Sequence, residues 1–281
     1  MNENSKRGAS IAFLATALSL AVISAVLRAL NIFFFFDESL GYYESGAALP
    51  LVANILLGVG ALFLVVFAFC FFRREKIEYS SRSVIQICVS VISAITALAL
   101  AVGNAIEAFK GDRLGMLTAA LSLMCALYFV CALVDINPIY KALAGIFAIA
   151  RLTFMLAASY FNQSVQMNAP DKVLFGLACV FSMLFVASEL KVFVGTARTP
   201  IYLIASALAA VLSATSAIPS IIAVHASKLP ESNGLYMEYY LLLGIALYAG
   251  ARLTISTLNI IKDKKAPASE ETDAAEADCE E

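Results

Sequence analysis

The sequence predicts an all-α membrane protein of eight transmembrane helices, arranged as a parallel 4+4 internal repeat with a period of about 120 residues and with both termini cytoplasmic. Three observations predict this: eight separate apolar runs of membrane-crossing length, a sided distribution of lysine and arginine, and a self-match when the chain is shifted along itself.

Of the 281 residues, 61% are apolar and 14% charged, whereas a soluble domain carries about 25% charged residues. The apolar excess falls at about 11–36, 50–72, 84–104, 114–134, 142–161, 173–194, 201–224 and 239–261. Each run has the ~20 residues a helix needs to cross a ~30 Å hydrocarbon layer. Inside lipid every backbone N–H and C=O must be paired within the chain, so such runs are helices. The first outlasts the ~7–15-residue core of a signal peptide and reads as a retained span. The second opens at Pro50, the third and seventh are rich in Ser and Ala, and the fourth carries "LSLMCALY". Arg151 marks the fifth, Glu189 the sixth, and "ALYAGAR" the eighth, while Pro219 bends the outer part of the seventh. The domain plan is a cytoplasmic N-terminus (1–10), a first four-helix unit (11–134), a linker (135–141), a second unit (142–261) and a tail (262–281). "APASEETDAAEADCEE" is too poor in large apolar residues to bury a core, so the tail is expected to be disordered.

Orientation follows from the charges. With the amino terminus inside, inner segments hold Lys6, Arg7, Arg73, Arg74, Lys76, Arg82, Lys141, Lys191, Arg198, Lys262, Lys264 and Lys265. Outer loops hold only Lys110, Arg113, Lys172 and Lys228. Twelve against four is a positive-inside pattern. With short loops, it fits a bacterial plasma (inner) membrane.

A shift of 120 residues sets Leu121, Leu123, Ala126, Leu127 and Tyr128 on Leu241, Leu243, Ala246, Leu247 and Tyr248. The same shift sets Ser93, Ala94 and Ala97 on Ser213, Ala214 and Ala217, and Pro50 on Pro170. Single Leu and Ala matches mean little in a small alphabet, but one shift serving three separate runs is the mark of repeated units. Four crossings per unit is even, so the halves are parallel, related by an axis along the membrane normal. Small residues four apart allow close backbone approach, which predicts that the third and seventh helices lie near that axis, with Ser93 close to Ser213.

Three arginines lie inside the spans. Arg151 is central in the fifth. Arg252 is ~3 Å to the inner side of the middle of the eighth, and Arg28 ~7 Å to the outer side in the first. A charge at that depth costs at least ~2.5–3.5 kcal/mol and faces protein or water, with a partner. Glu189, ~8 Å to the inner side in the sixth span, suits Arg252. Glu107 suits Arg28 as a structural ion pair, with Asp37 and Glu44 as substitutes. Arg151 finds no carboxylate at its depth, so its donors look to hydroxyls, carbonyls or an anionic ligand. Arg151, Arg252 and Glu189 are therefore the candidate ligand-binding residues.

The six cysteines form no CxxC pair, and with a single histidine (His225) no metal site or cofactor is expected. No phosphate-binding, dinucleotide-binding, HExxH or GxSxG pattern occurs, so no catalytic residue is assigned and enzymatic activity is not expected. No basic patch supports nucleic-acid binding. Two classes remain. One is a carrier or binder of a small anionic or zwitterionic solute at a midplane site between the repeats. The other is a non-catalytic accessory, sensor or scaffold subunit with a membrane-protein partner.

Overall fold

The structure, a computed structural model, describes residues 3–37, 42–44, 46–73, 75, 77, 83–111, 114–134, 136–162, 169–226 and 236–262. The expected disordered tail lies outside the described residues from 263 onward, as does most of the inner charge run at 73–82.

The described residues form eight α-helices: α1 (Glu3–Phe35), α2 (Ala48–Phe71), α3 (Val84–Phe109), α4 (Gly115–Cys131), α5 (Pro138–Phe161), α6 (Pro170–Phe193), α7 (Thr199–His225) and α8 (Tyr236–Lys262). Two short strands, β1 (Phe36–Asp37) and β2 (Tyr42–Tyr43), pair antiparallel after α1. Seven helices are long and apolar enough to cross a membrane, consistent with an all-α multi-pass membrane protein. The eighth, α4, has 17 residues, about 26 Å at 1.5 Å per residue. It ends three residues before the apolar run does, because Ala132–Val134 turn.

Helix ends follow local chemistry. Asn137 caps α5 by accepting from Ile139 N–H, and Pro138 fills the first turn where no N–H is missed. Gly195, at φ 76°, closes α6: its N–H reaches Val192 O at 3.1 Å and the Thr196 N–H reaches Lys191 O at 2.9 Å. Gly111, at φ 110°, turns the chain from α3 into α4. Several helices run past their apolar stretches: α1 starts at Glu3, α6 at Pro170 and α8 at Tyr236. Backbone hydrogen bonding continues where hydrophobicity stops.

Packing makes α7 the centre. It contacts α1, α2, α6 and α8, and α8 in turn packs on α3 and α1. Within the apolar window of α7, 78% of residues are buried, against 39% in α3 and 17% in α2. Ala and Ser dominate the buried surface of α7, so four neighbours can approach its backbone closely. The outer helices turn Leu51, Val59, Leu62 and similar side chains outward, an apolar surface suited to lipid.

Helices 3 and 7 do not pair, contrary to the sequence expectation. Ser93 of α3 donates to the Gly244 carbonyl of α8 at 2.8 Å, and Ser213 of α7 meets Ser182 of α6 at 3.0 Å. Both small faces do bring backbones close, but each against a different helix. The two halves also pack unequally: α5 to α8 contact in succession, whereas α2 and α3 scarcely touch.

Candidate functional site

All three buried arginines meet carboxylates, at three levels of the bundle. The group nearest the Lys/Arg-rich end of the bundle centres on Glu189 of α6, which is fully buried. Arg252 Nε of α8 lies 2.6 Å from Glu189 Oε1. Tyr248 donates to the same oxygen at 3.1 Å, and Tyr128 donates to Oε2. The two tyrosines of the repeated "ALY" thus converge on one carboxylate from α4 and α8. Their rings pack edge to face at 5.9 Å, and Phe129 and Phe185 pack on Tyr248. A carboxylate in an apolar shell needs its lone pairs satisfied, and the two tyrosine hydroxyls do this while the Arg252 guanidinium balances the charge.

The middle group centres on Arg151 of α5, 0% exposed. Its Nε donates to Ser122 of α4 at 2.7 Å. Its Nη2 lies 2.6 Å from both oxygens of Glu238, in the first turn of α8. Its Nη1 is buried with no hydrogen-bond partner among the described residues. The thiols of Cys125 and Cys179 lie within the field of this pair, and both are buried and unbridged. Ser122 and Tyr128, the α4 contacts of the Arg151 and Glu189 groups, are ~9 Å apart along the helix. The groups are therefore stacked layers rather than one cluster.

The group toward the opposite end of the bundle joins Arg28 of α1 to Asp171, in the first turn of α6. The Tyr43 ring, in β2, covers the guanidinium with its centroid 5.1 Å from Cζ. Burial, and then the Asp171 charge, hold the Tyr43 phenol well above its ordinary value, so it stays neutral. Asn31, one turn on from Arg28 and fully buried, has neither amide atom bonded among the described residues.

Arg252 and Glu189 are brought together as their depths predict. Arg28 is not paired with Glu107. Glu107 is exposed and accepts from Lys110, just past the end of α3, at 2.7 Å, and α3 packs on α4 and α8 rather than on α1. Nor does Arg151 lack a carboxylate. Asp171 and Glu238 were missed for one reason: each stands one or two residues ahead of the apolar run, and each helix begins earlier than the run. A first-turn acid is the available signal, since the positive end of a helix favours it there. His225 is exposed and meets the Tyr240 hydroxyl at 2.8 Å, a surface contact.

Each pair is neutral, so the interior carries no net charge from these six residues. Two of Arg151's three nitrogens are committed, and the third, Nη1, is buried without a hydrogen-bond partner among the described residues. No protein-family model, no curated protein and no solved structure matches this chain.

Proposed function

We propose that the chain binds and carries a small anionic or zwitterionic solute at the middle layer, with Arg151 as the anchor for the solute's oxyanion. The observation that carries this is the Nη1 of a wholly buried guanidinium, which has no hydrogen-bond partner among the described residues. A buried donor left unbonded costs ~1–3 kcal/mol or more, a cost an incoming carboxylate or phosphate-like group removes. Glu238 is the exchangeable partner, and the layer of Glu189, Arg252, Tyr128 and Tyr248 is the inner seal. The 120-residue correspondence gives the reading an origin: two four-helix units, of which the later took on Glu189, Glu238 and Arg252.

The test is uptake of labelled carboxylates, amino acids and phosphate esters by the protein in proteoliposomes. Arg151→Leu is expected to lower uptake by about tenfold or more, the worth of a charge-assisted hydrogen bond, with Arg151→Lys intermediate. Cys125 and Cys179 provide a second readout: a water-soluble thiol reagent labels them when the layer opens, and transported solute slows the labelling. Unreactive thiols together with uptake no better than protein-free vesicles would overturn the proposal. A second reading, an accessory subunit, is favoured by the fact that all three arginines already hold carboxylates. A stable membrane partner co-purifying with a chain that takes up nothing is its signature.

A further inference from the structure

At the Lys/Arg-rich end of the bundle, the rings of Phe67 and Phe72 hold the end of α2 on Phe13 of α1. Helix α2 packs on α1 and only lightly on α7, and a cleft of about 1120 Å³ opens between its end and the start of α7. That exceeds the ~300–1,000 Å³ of a compact small-molecule site. Its walls are of two kinds. Arg73, Glu75 and Arg198 supply charge, while Phe69, Val194 and Ile201 supply apolar surface. Those three apolar side chains are 49%, 61% and 43% exposed, unused by the protein's own packing.

We propose that this cleft binds one anionic phospholipid of the surrounding membrane, phosphate against Arg73 and Arg198, acyl chains along Phe69 and Ile201. Two guanidinium groups and one carboxylate leave the lining at +1, which matches the single negative charge of a phosphodiester. Guanidinium binds phosphate oxygens in a fork, and the first turn of α7 adds partial positive charge at the same edge. Thr199 does not compete: its hydroxyl donates to the Glu75 carbonyl, tying the segment after α2 to the start of α7. The anionic leaflet of a membrane faces the basic side of such proteins, so the ligand is present where the cleft opens. A bound lipid fills the gap beside α2, the least buried helix of the bundle.

The experiment is native mass spectrometry of the purified chain in neutral detergent, titrated with phosphatidylglycerol or phosphatidylcholine. One phosphatidylglycerol is expected to bind in preference to phosphatidylcholine. Each arginine lost is expected to weaken it about fivefold, so Arg73→Gln with Arg198→Gln weakens it about 25-fold. Arg7→Gln, which removes a charge from the same end outside the cleft, leaves it unchanged, and Arg73→Lys with Arg198→Lys recovers part of the loss. Equal binding of the two lipids, or equal effects of the cleft and Arg7 variants, overturns the proposal. Displacement of the lipid by inorganic phosphate or glycerol 3-phosphate at similar concentration also overturns it, assigning the cleft to a free phosphate.

Discussion

Glu189 concentrates the physics of the interior in one side chain. It accepts from two tyrosines and pairs with Arg252, and none of these four residues reaches solvent. Removing one partner of such a pair leaves a buried charge alone, at a cost of about 3–5 kcal/mol, whereas removing both is close to neutral. Glu189→Gln is therefore expected to lower the melting temperature steeply in detergent, and Glu189→Leu combined with Arg252→Leu to recover most of the loss. A double variant no more stable than the single one would show that Arg252 does not depend on Glu189. Sequence reached this pair because both residues lie inside apolar runs, where a charge announces itself. It did not reach Asp171 or Glu238, which sit among polar neighbours just ahead of a run and look like ordinary loop acids.

At the scale of elements, the α3–α8 contact shows what small residues do. A Cβ added at Gly244 lies 2.5 Å from Thr96 Oγ1 and 3.3 Å from Ser93 Cα, and the Ser93 hydroxyl bonds the Gly244 carbonyl. Helix backbones can come this close only if one side lacks a side chain. Gly244→Ala is expected to destabilise by about 1–3 kcal/mol through overpacking, read as a drop in melting temperature, with Thr96→Ala relieving part of it. No change in melting temperature would mean that α3 shifts freely against α8. The Ser/Ala pattern that identified α3 and α7 as close-packing helices was legible in the sequence. Which helix each would pack on was not, because small-residue faces are interchangeable and the choice depends on the shape of the whole bundle.

The whole molecule is a set of layers around α7 and α8, and its sidedness rests on whether the short helix α4 crosses. α3 and α4 form the most extensively packed pair, linked by a tight turn at Gly111, so α4 runs back along α3. With eight crossings both termini lie on one side. Fusions of a reporter that works only inside, and of one that works only outside, at each terminus are expected to give the same answer, with the inner reporter active at both. Opposite answers at the two ends would mean that α4 does not span and that the chain crosses seven times. The self-match at 120 residues speaks for eight. α7 is buried over 78% of its apolar window and α3 over 39%.

That this chain is a succession of apolar helices, and nearly where each one runs, is written in the local order of its residues. Partition between water and oil is a property of each local segment, summed residue by residue. It took the assembled bundle to settle which helix is enclosed and which carboxylate answers each arginine. Those outcomes depend on groups far apart in the chain meeting at one depth, which no local pattern encodes.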